Sequence, residues 1–202
     1  MLEDWDFFVL EPGEGFLEPQ KVFDNQKPLH LEIGSGKGEF LSQYAPLHPQ
    51  WNFLGLEAAD KRIRNILKKI NSERHSNVRL MRMMVDAGIA QLLPPESVAC
   101  VYIQHPDPWP KRRHHRRRLF QPEFLKALAQ VMEPGAELHI ATDHKEYSIW
   151  IAEMMLKQAE YVSLQNEVIQ NSPSLQDHVA TWYETEQRRQ GFEPHFMLFK
   201  RI

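Results

Sequence analysis

The chain has 202 residues, of which 42% are hydrophobic and 25% charged, and its net charge is −3. This length and composition predict one globular domain with a sizeable core and exclude a disordered chain. A single cysteine, Cys100, excludes a disulfide framework and a cysteine-rich zinc site. No apolar run reaches the roughly 18 residues of a membrane helix, and the acidic start is unlike a signal peptide, so we expect a cytoplasmic protein.

The predicted elements alternate between strand and helix along the chain. Apolar–polar alternation or a short unbroken apolar run predicts a strand, and apolar residues three or four apart predict a helix with one buried stripe. In chain order the patterns fall at residues 29–33 (strand), 40–44 (helix), 51–56 (strand), 63–70 (helix), 77–81 (strand), 98–103 (strand), 122–132 (helix), 137–141 (strand), 147–155 (helix), 160–169 (strand) and 195–201 (strand). Pro134-Gly135 is expected to form a turn.

This alternation predicts an α/β fold, with a doubly wound, mostly parallel sheet and helices on both of its faces. In such a sheet, ligands bind outside the carboxyl ends of the strands. Four segments are expected there: residues 32–39, 56–58, 103–118 and 141–144. We expect residues 29–202 to form this single domain and residues 1–28 to be a short acidic extension.

A glycine-rich turn with Gly34, Gly36 and Gly38 follows the first predicted strand. Glycine adopts positive φ angles readily and lets the backbone approach a ligand closely. A dinucleotide fingerprint ends in glycine where this chain has Glu39, which argues against NAD and an NAD-dependent dehydrogenase. A tight turn without a ligand is the alternative interpretation.

Acidic residues beside the turn narrow the choice of ligand. Glu32 stands just before the turn, where its negative charge would repel a pyrophosphate and attract a cation. Glu57 ends the next strand, where an acid can accept hydrogen bonds from ribose hydroxyls. S-adenosylmethionine has a ribose, a positive centre and no phosphate, so it matches this pair. Asp86, after the third strand, suits either an adenine amino group or a helix cap.

A proline-rich loop, residues 105–110, follows the buried fourth strand. Its three prolines fix φ and remove backbone donors, so the loop is expected to be stiff. A stiff loop at this edge can hold one carboxylate, Asp107, and one aromatic ring, Trp109, in the fixed positions that orienting a flat base requires.

The next eight residues, 111–118, contain six Lys or Arg and no acid. Beside a site, this basic strip predicts phosphate binding, with a solvated flexible face as the alternative. Outside the strip, the chain has 18 basic and 27 acidic residues. The remainder of the protein is therefore acidic, and RNA is expected to dock chiefly at the strip. Its adjacent histidines are not expected to bind a metal, because neighbouring side chains diverge and the surroundings are cationic.

Several segments of the chain occur in an order typical of one family. They are Glu32-Ile-Gly34-Ser-Gly36-Lys-Gly38, Trp51-Asn-Phe-Leu-Gly55-Leu-Glu57, Pro106-Asp-Pro-Trp-Pro-Lys111 with the basic strip, Gln121-Pro-Glu-Phe124, Ala141-Thr-Asp143 and Thr181-Trp-Tyr-Glu184. Together they resemble the bacterial tRNA (guanine-N7)-methyltransferases over residues 29–200.

The resemblance implies a Rossmann-like class I methyltransferase fold with seven strands, the last antiparallel. It implies methyl transfer from S-adenosylmethionine to N7 of the guanosine at tRNA position 46, by a monomer or homodimer without a metal. The implied cofactor residues are Glu32, Gly34, Gly36, Gly38, Glu57, Asp86 and Asp107, with Asp107 also catalytic. The implied substrate residues are Lys111, Asp143, Thr181, Trp182, Tyr183 and Glu184, and the implied RNA-binding residues are Arg113, His114, His115, Arg116, Arg117 and Arg118.

Three features depart from the family pattern. Val85 replaces a glycine before Asp86, Gln104-His105 replaces an aromatic pair, and residues 1–28 carry seven acids and two lysines where relatives often have a basic arm. Thr181-x-x-Glu184 is also a capping box, which would start a helix without touching RNA. Two other functions stay open: a methyltransferase for exocyclic or amide nitrogens, and a non-catalytic RNA-binding module on the same fold.

Overall fold

The structure is a computed structural model that describes residues 2–202. The strands are β1 (Val9–Leu10), β2 (Leu29–Ile33), β3 (Asn52–Glu57), β4 (Val78–Arg82), β5 (Val98–Gln104), β6 (Met132–Thr142), β7 (Tyr161–Ser163) and β8 (His195–Arg201). The α-helices are α1 (Leu2–Phe8), α2 (Pro19–Phe23), α3 (Glu39–Tyr44), α4 (Asp60–Leu67), α5 (Ile89–Leu92), α6 (Pro122–Val131), α7 (Lys145–Leu156) and α8 (Trp182–Arg189), with 3-10 turns at Ala45–Leu47 and Arg112–Arg117. In this part of the chain, none of the helices is long and apolar enough to cross a bilayer.

The strands form one sheet in the order β1-β4-β3-β2-β5-β6-β8-β7. All neighbouring strands are parallel except β8, which is antiparallel to both β6 and β7. This confirms the predicted mostly parallel α/β sheet with an antiparallel last strand. The described sheet has eight strands rather than seven because the short β1 adds to the edge, with Val9 opposite Leu80.

Part of the acidic N-terminal segment packs into the domain core. Phe8 and Val9 are buried with residues of α3, α4 and β4, and Phe23 is buried on the opposite face of the sheet. A two-residue strand is too short for an alternating pattern to show, so only the packing of these apolar side chains places the segment on the sheet edge.

Two predicted boundaries differ from the structure. Strand β6 begins at Met132 and runs through Pro134-Gly135, where the register against β5 shifts, so the expected turn is a bulge inside a strand. The strand expected at 160–169 ends at Ser163. Beyond it, the Leu164 amide donates to the Leu198 carbonyl and an isolated bridge joins Gln170 to Phe196.

Both faces of the central strands are covered by helices. Helices α5, α6 and α7 pack over one face, and α1, α3 and α4 pack over the other. Strand β2 is therefore buried along its whole length, with Leu31 in one core and His30 facing the other. Because β2 to β6 run parallel, their carboxyl ends bring the predicted ligand segments to a single edge.

Candidate active site

A cavity of about 870 Å³ lies at this edge of the sheet. Its volume falls in the usual range of roughly 300–1,000 Å³ for small-molecule sites. Predicted site residues from four separate segments line it: Gly34, Glu57, Asp86, Asp107, Arg116, Arg117 and Arg118. Residues that are more than 80 positions apart in the chain therefore meet around one space.

Each of the three glycines in the turn has its own structural role. Gly34, with φ +81°, is exposed in the cavity wall. Gly36, with φ +55°, donates its amide to Oε2 of Glu57 over 2.8 Å. Gly38 has φ +76°, and a Cβ there would lie 2.7 Å from Cγ1 of Ile66, so this glycine lets α3 approach α4. Gly38 thus supports the turn from behind the cavity.

Glu57 is the most firmly held acid in the cavity wall. Its side chain is only 3% exposed, Oε2 accepts from Gly36, and Oε1 accepts from the amide of Ala59 over 2.9 Å. The guanidinium of Arg62 lies 3.6 Å from Oε2. A carboxylate has about four acceptor positions, so these contacts leave capacity for hydroxyl donors of a ligand.

Glu32 is buried beneath the turn. Its Oε2 atom has no hydrogen-bond partner, and neither has the nearby Ser35 hydroxyl. Burial raises the pKa of Glu32 to about 8; the Ser35 hydroxyl acts in the opposite direction, and the charges of Glu57 and Glu39 act with burial. Burial therefore favours the protonated carboxyl when no cation is close, which refines the expectation of a standing negative charge.

Asp86 lies at the cavity edge, two residues before Gly88, the N-cap of α5. Its carboxylate accepts from the amide of Gly88 over 2.8 Å, just before α5, and the residue is exposed in the cavity wall. Met83, Met84 and Val85 form an apolar wall beside it. Val85 thus contributes a side chain to the cavity lining.

The proline-rich loop at residues 105–110, the Asp107 loop, is held at both of its ends. His105 and Trp109 have φ angles of +50° and +41°, which are uncommon for non-glycine residues. The His105 amide donates to the Ala141 carbonyl over 2.8 Å, and Arg118 Nε donates to the Pro108 carbonyl over 2.9 Å. Asp107 itself is exposed in the cavity.

The basic strip divides into an exposed part and a buried end. Its exposed cations are Lys111, Arg112, Arg113, Arg116 and Arg117. His114 and His115 are half-buried, and the ring of His114 packs edge-on against Trp109 with 5.8 Å between ring centres.

Arg118 corrects the expectation that all of 113–118 contacts RNA. Its side chain is 0% exposed, and its Nη2 donates to both carboxylate oxygens of Glu146 at 3.0 and 3.1 Å. The guanidinium also lies 5.0 Å from the ring centres of Tyr147 and Trp150. This arginine holds the Asp107 loop from inside the domain.

A second group of predicted residues meets beside the Asp107 loop. The Tyr183 hydroxyl donates to Oδ2 of Asp143 over 3.3 Å. The ring nitrogens of His105 lie 3.5 Å from Oδ1 of Asp143 and 3.9 Å from Oε2 of Glu184. The structure therefore joins the segment after β6 to the start of α8, whereas Lys111 lies in neither this group nor the cavity wall.

The start of α8 shows which of its residues are free to meet a substrate. Thr181 is the N-cap, and its hydroxyl accepts from the amide of Glu184 over 3.1 Å. The Glu184 side chain is 1% exposed and turns to His178 and Arg188, so the capping box is not reciprocal and burial shields Glu184 from a substrate.

Two aromatic residues of α8 remain exposed, Trp182 at 52% and Tyr183 at 41%. The ammonium group of Lys37, from the glycine turn, lies 3.0 Å above the Trp182 ring centre. This cation–π contact joins the glycine turn to α8. Among residues 2–202, no group of His, Cys, Asp and Glu side chains is arranged to hold a metal ion.

Sequence comparisons identify relatives over nearly the whole chain. Residues 26–197 match the family described as "Putative methyltransferase". A tRNA (guanine-N(7)-)-methyltransferase of Nitrosococcus oceani is 34% identical over 197 residues, covering 98% of this chain and 81% of that protein. One of Bordetella pertussis is 35% identical over 185 residues, covering 92% and 72%. The chain belongs to the tRNA (guanine-N(7)-)-methyltransferase family.

Other relatives are longer or more distant. A tRNA (guanine-N(7)-)-methyltransferase of Arthrobacter sp. is 38% identical over 154 residues, but the chain spans about half of it, 48%. The solved 16S rRNA methyltransferase KamB has a TM-score of 0.66 at 17% identity, covering 96% of this chain and 98% of that one. A SAM-dependent methyltransferase from Aquifex aeolicus has a TM-score of 0.57 at 13% identity, covering 92% and 90%. These structures show the shared fold.

The residues of this tRNA (guanine-N(7)-)-methyltransferase family member fit the methyl donor of the family, S-adenosylmethionine. Glu57 retains acceptor capacity for ribose hydroxyls, and the apolar wall at Met83–Val85 suits a flat base. The unpartnered Oε2 of Glu32 is a buried acceptor that a nearby cation would satisfy.

Two functional contacts could not be found from the sequence of this family member. Arg118 is one cation within a run of cations, and nothing in the run marks the one that turns inward. His105 shows in the sequence only as a departure from the aromatic residue of relatives, and its carboxylate neighbours come from segments about 40 and 80 residues away.

Proposed function

We propose that this protein transfers the methyl group of S-adenosylmethionine to N7 of a guanosine in tRNA, at position 46 of the variable loop. One observation carries the proposal: a single cavity is lined by Glu57, by the exposed Asp107 and by the exposed arginines 116 and 117. The family membership supports the reaction, and the resemblance of the motifs supports the position. We place the reaction in the cytoplasm, where tRNA is modified.

In this proposal the cofactor binds along the glycine turn. When bound, S-adenosylmethionine supplies an electrophilic methyl group on a sulfonium centre. Glu57 accepts the ribose hydroxyls, Asp86 accepts from the adenine amino group, and Gly34 allows close backbone approach. Glu32 ionises as the cationic end arrives, because a nearby positive charge lowers the pKa that burial had raised.

The chemistry on guanine requires alignment more than proton transfer. N7 is an acceptor with a lone pair and no proton, so no general base is needed before it attacks the methyl group. The protein's task is to hold N7 in line with the methyl carbon and sulfur, which the stiff Asp107 loop is suited to do. Methylation leaves the base cationic, and the Asp107 carboxylate stabilises that developing charge.

The exposed cations of the basic strip would hold the tRNA backbone. Arg116 and Arg117 line the cavity, and Lys111 and Arg113 are exposed earlier in the same strip. His114 and His115 add partly exposed donors. The exposed rings of Trp182 and Tyr183 provide faces on which a base can stack.

The test is transfer of labelled methyl from S-adenosylmethionine to an unmodified tRNA transcript. N7-methylguanosine is mapped by borohydride and aniline strand cleavage, and a transcript with adenosine at position 46 is the matched control. We expect label and cleavage at position 46 alone. Label without cleavage would assign an exocyclic or amide nitrogen instead, and absence of cofactor binding in calorimetry would indicate a non-catalytic RNA-binding module.

A further inference from the structure

The Asp107 loop begins at a buried histidine, His105, which borders the cavity but has no role in the cofactor and phosphate contacts proposed above. The His105 side chain is 5% exposed, and its two ring nitrogens face carboxylates from two different elements, Asp143 after β6 and Glu184 in α8. The Tyr183 ring packs against it with 5.2 Å between ring centres. Three segments of the site therefore meet at one imidazole.

The charges around His105 favour its protonated form. Burial alone would lower the pKa of His105, but the carboxylates of Asp143 and Glu184 outweigh burial and raise it. Burial would likewise raise the pKa of Glu184, yet His105, His178 and Arg188 hold it well below its usual range. The other charged groups near this cluster are Lys145 and His195 beside Asp143, and Asp107 two positions along the loop.

The backbone at His105 explains why this contact bears on the loop. Its φ of +50° is unfavourable for an ordinary side chain, and the conformation persists where surrounding contacts determine it. The His105 amide is bonded to the Ala141 carbonyl, and its ring lies between Asp143 and Glu184. The direction of the chain at Asp107, two residues later, depends on these contacts.

We infer that His105 is a positioning residue: as an imidazolium it holds Asp143 and Glu184 together and so fixes the Asp107 loop against α8. The inference rests on the proposed function, because it concerns how the same site receives tRNA. Without the proton on His105, the attraction between its ring and the two carboxylates is lost, and the Tyr183–Asp143 hydrogen bond is the main contact left between this cluster and α8. Productive binding of tRNA therefore weakens as the pH rises through the pKa of His105.

This pH dependence is separable from the chemical step and from the cofactor. Guanine N7 carries no proton, so the transfer itself needs no titrating base at neutral pH. Ionisation of Glu32 acts on the cofactor and in the opposite direction, improving binding as pH rises. Measuring the tRNA KM at saturating S-adenosylmethionine therefore reports on His105 rather than on Glu32.

The experiment compares wild type with H105N and H105K between about pH 6 and pH 9, the range in which histidines titrate. Asparagine tolerates a positive φ and carries no charge, whereas lysine keeps a positive charge throughout this range. H139Q is the control, because it removes a histidine 3.0 Å from Glu137 in β6, outside the site. The readouts are kcat and tRNA KM, together with an NMR titration of His105 in the wild-type protein.

We expect the pKa of His105 to lie above that of an ordinary histidine and the wild-type tRNA KM to rise on the alkaline side of that titration. H105N should lower kcat/KM for tRNA about ten- to a hundredfold, as displaced catalytic groups do, with little change in the KM for the cofactor. H105K should recover most of this loss and remove the alkaline rise, and H139Q should match wild type.

The inference is overturned if His105 titrates at or below its ordinary pKa, or if H105N retains the wild-type tRNA KM and pH profile. Equal impairment of H105N and H105K would also overturn it, because ring packing rather than charge would then be responsible. A wild-type protein that transfers no methyl group would instead refute the proposed function, and the NMR titration would still test the charge on His105.

Discussion

Replacing Arg118 by methionine separates the buried end of the basic strip from its exposed part. Methionine keeps an unbranched apolar stem between Tyr147 and Trp150 but removes the guanidinium. We expect R118M to lose stability and turnover while its dependence on salt stays that of wild type. The reason is that Arg118 binds the Pro108 carbonyl and Glu146. Its side chain is 0% exposed to solvent and therefore cannot contact RNA.

The size of the effect follows from the two contacts that are lost. The charge-assisted bond to the Pro108 carbonyl is buried and contributes about 1.5–3 kcal/mol. The ion pair with Glu146 contributes about 0–1 kcal/mol, since that carboxylate is half exposed and water can replace its partner. The total is about 1.5–4 kcal/mol, or a fall in Tm of roughly 3–16 °C at about 2–4 °C per kcal/mol for a chain of this size.

Thermal unfolding measures the first part of the prediction, and tRNA binding as a function of salt measures the second. R117M is the matched control, because Arg117 is exposed at the cavity mouth. R117M also removes a guanidinium 5.0 Å from the Trp109 ring centre, a contact worth about 0.5–1 kcal/mol at an exposed site. Its Tm should therefore fall by less than about 4 °C, and its log–log salt slope should flatten by about 0.7–0.9 per lost phosphate contact. The reasoning is refuted if R118M flattens the slope as R117M does, or if its Tm is unchanged.

Three further predictions concern single groups of the site. D107A should lower kcat by about 10²–10³, the usual loss for one charge-stabilising group, with a small change in tRNA affinity; equal turnover would remove Asp107 from catalysis. Because burial raises the pKa of Glu32 to about 8, the folded protein keeps a proton on this carboxyl that the unfolded chain releases. The free energy of unfolding without cofactor should therefore fall as the pH rises from the ordinary glutamate pKa towards 8. E32Q should remove this fall in denaturation experiments, and an unchanged pH slope would contradict it. G38A places a Cβ 2.7 Å from Ile66 at a φ of +76° and should lower the free energy of unfolding by about 1–3 kcal/mol. G13A, where a Cβ meets nothing within 4 Å, is the control. Equal melting temperatures of the two variants would exclude the clash.

The order of elements and most of the cavity wall were predictable from local sequence. Buried parallel strands are short apolar runs, and the turns that follow them carry glycines and acids, so β2 to β5 and the positions of Glu57 and Asp107 follow from periodicity and topology. The family resemblance rests on these same segments. Strand β1 and the bulge in β6 were missed because two residues show no period and Pro134-Gly135 has the composition of a turn.

The net charge of −3 shows the same division between sequence and structure. By itself the sequence determined that the cations are concentrated in residues 111–118 and that the remainder of the chain is acidic. Only the tertiary structure decided which of these cations face solvent and which one, Arg118, supports the Asp107 loop. Exposure, like the pairing of His105 with Asp143 and Glu184, depends on side chains that lie far apart in the chain and meet only when the sheet edge forms.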